Sequence, residues 1–205
     1  MKQIFLCLTF WSICLFSVAQ DNQEPEEKGF KRENLFLGGN LTVSFSNNVT
    51  SLGINPYFGY SIYKWLDAAF SMNVEYVSER DYPFPGDKIR QMLYGPGVFV
   101  RIYPIKFLFV QGQYEHNFVT QKYFPGPNSY YIPQKINRDI NSLLLGIGYA
   151  SGREPDENQY YYVSVSIDVL QMPFSPYVDN YNNALPIIKA GFNFRLFAPG
   201  RRKRH

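Results

Sequence analysis

From residue 35 to residue 197 apolar and polar side chains alternate along the chain, with breaks at clusters of Asn, Pro, Gly and charged residues. A period of two is the signature of a strand with one apolar and one polar face. The last segment shows it most clearly. Ile188, Ala190, Phe192, Phe194 and Leu196 alternate there with Lys189, Gly191, Asn193 and Arg195. Seven segments upstream repeat the scheme. Leu35, Leu37, Leu41, Val43 and Phe45 share a face in the first; Leu52, Ile54, Phe58 and Ile62 in the second; Leu66, Phe70, Met72 and Val74 in the third. Met92, Tyr94, Val98, Val100 and Ile102 mark the fourth, and Leu108, Val110, Tyr114 and Phe118 the fifth. The sixth carries Leu143, Leu145, Ile147 and Tyr149, and the seventh Tyr161, Val163, Val165, Ile167 and Val169. Pro56 removes a ladder donor and predicts a bulge or local irregularity in the second strand. Phe107 and Phe109 both fall on the polar face of the fifth and blur its start.

The content of the two faces decides which one points inward. The polar face holds Gly38, Gly53, Gly95, Gly97, Gly146 and Gly148 together with Glu75, Arg101 and Glu115; the other is crowded with Leu, Ile, Val and Phe. A soluble barrel of the lipocalin kind would have to turn that crowded face inward and the small, charged face to water. Left outside in water, the apolar face would far exceed the few hundred square ångströms a monomer tolerates. A barrel in a bilayer reverses the requirement, with apolar side chains against lipid and polar ones in the lumen. Connection lengths agree. Residues 79–90, 121–139 and 171–186 read as long loops after the third, fifth and seventh strands, whereas Lys64-Trp65 and Tyr103-Pro104-Ile105 make tight turns. The connections after the first and sixth strands, short and long respectively, fit less well. The fold expected is all-β: a transmembrane antiparallel up-and-down β-barrel of eight strands, with both ends on the side of the short turns.

Composition adds the compartment. Aromatic residues make up 18% of the chain, which suits girdles at two membrane interfaces. Met1-Lys2 and the apolar run Ile4 to Val18, closed by Ser17-Val18-Ala19, read as a secretory signal over 1–19. Cys7 and Cys14 both lie within it, so residues 20–205 carry neither disulfide nor thiolate chemistry. Residues 20–34 read as a flexible polar leader on the periplasmic side, 35–197 as the barrel and 198–205 as a basic tail. The net charge of +3 owes much to Lys2 and to Arg201-Arg202-Lys203-Arg204; without them acids slightly outnumber bases, and nucleic acid is not implied.

The terminal segment also carries a motif. Lys189, Gly191, Phe194 and Leu196 occupy the specified positions of a pattern that resembles the C-terminal assembly signal of bacterial outer-membrane barrels. With strand number and face pattern, the chain resembles the small OmpA-like and OmpX-like barrels of Gram-negative outer membranes, over nearly its whole length after the leader. The resemblance implies an integral outer-membrane protein, inserted by the barrel assembly machinery, in contact with membrane lipid and lipopolysaccharide. Its loops would be extracellular and both termini periplasmic. No internal motif narrows it further.

Four features could carry function, among them the basic tail Arg201-Arg202-Lys203-Arg204-His205, which could touch anionic lipid head groups or a partner protein. By parity Asp67, Glu75, Arg101, Glu115, Asp168, Lys189 and Arg195 face the lumen. An eight-stranded barrel is just wide enough to be filled by side chains, and confined charges are expected to pair as a plugging network. The alternative is a narrow porin-like path for ions or small solutes. The loops set aromatics beside prolines, and Phe84, Tyr123, Phe124, Tyr130, Tyr131, Phe174 and Tyr177 are candidates for binding a protein partner or surface ligand, or for packing on one another as a cap. A lipid A-modifying enzyme is the third reading. His116, in Tyr114-Glu-His-Asn-Phe118, lacks the serine two residues on that lipid A deacylase barrels have, and no catalytic residue is assigned. The sequence implies no metal and no cofactor. The expectation is therefore a non-enzymatic barrel with structural or interaction duties.

Overall fold

A computed structural model describes residues 29–45, 48–127, 129–151, 153, 158–179 and 182–197. The signal at 1–19, most of the leader and the tail at 198–205 lie outside the described residues. The described residues from Arg32 onward belong to one compact unit. After a single 3-10 turn at Arg32–Asn34, the chain runs through β1 (Leu35–Phe45), β2 (Val49–Tyr63), β3 (Leu66–Arg80), β4 (Lys88–Ile105), β5 (Leu108–Phe124), β6 (Gln134–Ser151), β7 (Gln159–Asp168) and β8 (Ile187–Arg195). Every strand pairs antiparallel with its neighbour, and β1 pairs with β8, so the sheet closes as β1-β2-β3-β4-β5-β6-β7-β8. Closure leaves no unpaired edge, which is what allows a sheet to stand in a medium without hydrogen-bonding partners.

Burial follows the expected parity. Phe36, Asn40, Thr42 and Ser44 are buried on β1 while Leu37, Leu41 and Phe45 are exposed, and the same beat runs through the other strands. Around the middle of the barrel the exposed side chains are mostly the apolar ones. Leu41 is 61% exposed, Ile147 68% and Phe192 52%, whereas Glu115 and Asp168 are fully buried.

The strand ends correct the sequence reading. β3 continues through Arg80, β4 starts at Lys88, β5 reaches Phe124 and β6 starts at Gln134, so the loops shrink to 81–87 and 125–133. Tyr103-Pro104-Ile105 is the end of β4; the turn is Lys106-Phe107, and Phe107 is exposed there. Pro56 brings a gap without a bulge. The β2–β3 ladder skips Asn55 and Pro56 and resumes in the same register; the shift lies at Ser61/Tyr63. Pro96 does the same to the β4–β5 ladder. A proline has no N–H to give, and each one pairs on its other side, Pro56 with Gly39 and Pro96 with Met72.

Inward glycines turn out to be seats for rings. A Cβ at Gly38 would stand 2.3 Å from the Tyr57 ring, one at Gly59 2.3 Å from Phe36, and one at Gly148 2.2 Å from Phe109. Each ring lies across the neighbouring strand where no side chain opposes it.

Candidate functional site in the lumen and its loop cap

The lumen is filled in layers. Towards the rim of short turns, Phe36, Tyr57, Ala69, Phe99, Tyr103, Phe109, Ala150, Tyr160 and Tyr162 form a mostly aromatic layer. Towards the opposite rim, Val49, Val77, Leu93, Val119, Ile140 and Leu185 form an aliphatic one. The charged residues lie at and between these layers.

Arg101 sits in the aromatic layer and is nearly completely buried. Its guanidinium carbon lies 4.9, 4.5 and 4.3 Å from the ring centres of Phe99, Phe109 and Tyr162. Nε and Nη2 both donate to Gln111 Oε1, at 2.9 and 2.7 Å. A planar, weakly hydrated cation suits such a box of ring faces. The chain of donors then runs up the inner face of β5. Gln111 Nε2 donates to Gln113 Oε1 at 2.9 Å, and Gln113 Nε2 to Glu115 Oε1 at 2.9 Å. Arg101 is linked to Glu115 through two glutamines rather than by a direct pair.

Glu115 is the hub of the middle layer. Asn117 Nδ2 donates to its Oε2 at 3.1 Å, and Lys189 Nζ lies 3.4 Å from Oε1 as a buried ion pair. Lys189 also donates to Gln113 Oε1 at 3.1 Å. Glu75 accepts from Ser51 Oγ. Bridging the two carboxylates is the hydroxyl of Tyr177, 2.8 Å from Glu75 Oε2 and 2.9 Å from Glu115 Oε2. One phenolic proton is thus shared between two carboxylates.

Tyr177 comes from the connection 169–186, which enters the barrel. The residue is 1% exposed and packs with Leu144 and Ile187. Grouped by sequence with the exposed loop aromatics, it is instead buried inside the lumen. Asp168 anchors the start of that connection, accepting from Ser175 Oγ at 2.9 Å and from the Leu143 and Leu170 amides at 3.1 Å. A cavity of about 310 Å³ remains at the mouth, between the connection, Tyr82 and the inner walls of β2, β3, β4 and β5.

Asp67 has a partner that the face pattern could not supply. Arg153, from the β6–β7 turn, pairs with its Oδ1 at 2.9 Å and lies over the Tyr103 ring at 3.6 Å. Arg195 is only half-buried at the end of β8. Six of the seven lumen residues therefore fall into three groups: Asp67 with Arg153, Asp168 with the loop, and one network in which Arg101 reaches Glu115 through two glutamines and Glu75, Glu115 and Lys189 gather about Tyr177.

Over the mouth the remaining loops hold one another. Asp87 is buried and accepts from the Gly126 amide at 2.7 Å, the Phe84 amide at 3.3 Å, the Ser129 hydroxyl at 3.3 Å and the Tyr123 hydroxyl. Burial alone would raise its pKa, but these donors outweigh it and hold the carboxyl below its ordinary value. Tyr131 stacks on Phe84 at 5.9 Å, and Tyr123 meets Tyr131 edge-on. Tyr123 and Phe124 belong to β5, with Arg90 over Phe124 at 5.1 Å. Phe174 lies under Arg138, whose guanidinium is 3.7 Å from the ring centre. Tyr130 alone of the seven projects almost fully, at 96% exposure. His116, on the outer face, lies with Nδ1 2.7 Å from Asn141 Oδ1 and packs edge-on to Phe118.

In Lys189, Gly191, Phe194 and Leu196 the strand geometry has its own demands. Gly191 lies where a Cβ would stand 2.4 Å from the Gly39 carbonyl oxygen and 2.8 Å from the Tyr162 ring. Leu196, just past β8, still donates its amide to the Leu35 carbonyl at 3.0 Å.

These features define a closed, eight-stranded up-and-down barrel with an apolar outside and an inside filled by aromatic, aliphatic and hydrogen-bonded polar side chains. No protein-family model and no curated protein matches the sequence. Among solved structures the chain is similar to Neisserial surface protein A, at 10% identity and a TM-score of 0.44, over 80% of this chain and 97% of that one. Similar too are Ail, the attachment invasion locus protein of Yersinia pestis (11%, 0.45, 78% and 95%), and the N-terminal β-barrel domain of Pseudomonas aeruginosa OprF (11%, 0.44, 79% and 97%).

Proposed function

We propose that this chain is an integral outer-membrane barrel with a structural or surface-interaction role, a closed lumen and no catalytic activity. In this reading residues 1–19 are a removed signal. The connections 81–87 and 125–133 lie outside the cell, 169–186 starts and ends on that side with Tyr177 reaching into the lumen, and both ends of the chain lie in the periplasm. The observation that carries it is the inversion of the faces: Leu, Ile, Val and Phe form a continuous exposed belt around the barrel while Glu75, Arg101, Glu115, Asp168 and Lys189 are buried within it. Only a lipid solvent rewards that arrangement. Two obstructions in series, the Arg101 layer and the Tyr177 plug, favour a closed lumen over a channel. Tyr130 and the neighbouring Ile132, 71% exposed, are the loop residues most available to a partner.

Refolding into phosphatidylcholine vesicles tests the membrane reading. The folded barrel should resist protease and migrate differently on a gel before and after boiling; protein that stays in solution and folds without lipid or detergent would refute it. In the native membrane Tyr130→Cys should react with an impermeant thiol reagent on intact cells, and silence there with labelling only after rupture would invert the topology.

A further inference from the structure

We propose that the outer face of the β3–β6 extension binds the phosphates of a glycolipid headgroup in the leaflet at the loop rim; this rests on the membrane reading above. The four strands run past the apolar belt, and their outward positions change character there. Arg80 on β3, Lys88 and Arg90 on β4, Lys122 on β5 and Lys135 on β6 are all exposed. The register sets them against one another: Arg80 faces Lys88, Arg90 faces Lys122, and Lys122 faces Lys135. Like charges directly opposite in a sheet are destabilising, so three such pairs on one surface call for a counter-anion.

The protein's own acids do not supply it. Asp87 is buried in the loop cap, Asp81 accepts from the Gly86 amide at 2.8 Å, and Glu79 is buried on the lumen side of β3. Asp139 lies on the outer face of β6 opposite Phe118, about 13 Å along the strand from Lys135. Among the described residues none of the five cations is in an ion pair.

Position selects the ligand. Arg90 and Lys122 stand one two-residue step beyond Met92 and Thr120, about 7 Å along the strands. That is headgroup depth when the belt fills the hydrocarbon. The surface is one-sided, because β1 ends at Phe45, β7 ends at Asp168 and β8 begins only at Ile187. Four strands at about 4.8 Å spacing make it about 15 Å wide. It is a local docking face for one polyanionic headgroup rather than a ring of cations serving bulk lipid.

The test uses the barrel in phosphatidylcholine nanodiscs with and without diphosphoryl lipid A, with retained glycolipid counted by native mass spectrometry. The variant Lys88→Gln/Arg90→Gln/Lys122→Gln/Lys135→Gln should bind lipid A on the order of fivefold more weakly for each cation removed. Lys64→Gln/Lys106→Gln, at the other rim, should bind as wild type does. Fully dephosphorylated lipid A should be retained no better than phosphatidylcholine, and added salt should weaken binding of the phosphorylated form. Stability should cross over: the quadruple variant, freed of like-charge pairs, should outlast wild type in pure phosphatidylcholine and lose that lead once lipid A is present. Undiminished lipid A binding by the variant, or equal retention of the dephosphorylated lipid, overturns the proposal. So does displacement by inorganic phosphate, which would make this a site for free anions. Failure of wild type to enter pure phosphatidylcholine bilayers is a separate result that removes the membrane reading and this proposal with it.

Discussion

At the scale of single residues, two side chains show how environment replaces the pairing expected from charge alone. Arg101 has three rings and one amide oxygen about it, and the amide accepts two of its N–H groups. Lysine keeps the charge but loses the plane and the second donor, so Arg101→Lys is not conservative here. Loss of a charge-assisted hydrogen bond and of ring contacts should cost about 2 kcal/mol. Urea unfolding of the refolded barrel in lipid vesicles measures it; a wild-type midpoint would mean that the box recognises charge alone. Asp87 gives a pH prediction with a definite sign. Its carboxyl is held below the ordinary value, so it stabilises the cap above the unfolded pKa of about 3.9 and loses that effect as pH falls through the lower folded value. Hydrogen exchange at the Gly126 amide should therefore stay slow from neutral pH down to the ordinary carboxylate range and show cap opening only in stronger acid, after correction for intrinsic rates. Asp87→Asn should open the cap at neutral pH. An opening that tracks pH between about 6 and 7 would point to a group other than a carboxyl of this kind.

Among the elements, what could be read from the chain and what could not divides along a physical line. Alternation revealed all eight strands, because one face meets apolar surroundings and the other polar ones. It failed beyond the belt. At Arg80, Lys88, Arg90, Lys122 and Lys135 the outward face turns polar as well, the contrast vanishes, and segments that are still paired looked like loop. Backbone pairing does not need that contrast. Tyr177 and Arg153 were missed as lumen residues for a different reason: both sit in aperiodic connections, and only the closed barrel shows that these reach inward. Gln111 and Gln113 share the parity of Glu115 and so fall on the polar face of the fifth segment, but parity does not show them as the link between Arg101 and Glu115, since register decides who meets whom. The 169–186 plug makes its own prediction. Tyr177→Phe leaves two buried carboxylates without their shared donor, a loss of about 1–3 kcal/mol of local stability. Limited proteolysis should cut 169–186 faster in the variant, while planar-bilayer recordings of both proteins should stay silent if, as proposed, the aromatic layer is a second, separate seal. Steady conductance in the variant would show that the plug was the only seal; unchanged proteolysis would show that the phenol does not hold the loop.

For the molecule as a whole, the belt and the assembly pathway make separable demands on β8. Arginine facing lipid costs about 2–4 kcal/mol near mid-membrane and about 0–1 near an interface. Phe192, 52% exposed, should therefore suffer more from replacement by Arg than Leu196, which lies just past the strand end. Denaturant unfolding in vesicles should rank the two in that order. Gly191 and Phe194 then separate packing from recognition. A Cβ at Gly191 would meet the Gly39 carbonyl oxygen at 2.4 Å, so Gly191→Ala should impair folding even from pure denatured protein into vesicles, with no assembly machinery present. Phe194 is an exposed side chain on the belt. Phe194→Ala removes surface without creating a clash, so it should refold in vitro almost as wild type does. In cells, if Phe194 is read by the insertion machinery, the same variant should accumulate poorly in outer membranes. The decisive comparison is the folded fraction of both variants with and without the machinery. Normal refolding of Gly191→Ala in vesicles, with loss only in cells, would assign that glycine to the signal rather than to the barrel wall. Equal behaviour of Phe194→Ala in both settings would remove the terminal motif as an assembly determinant and leave β8 as one more strand of the barrel.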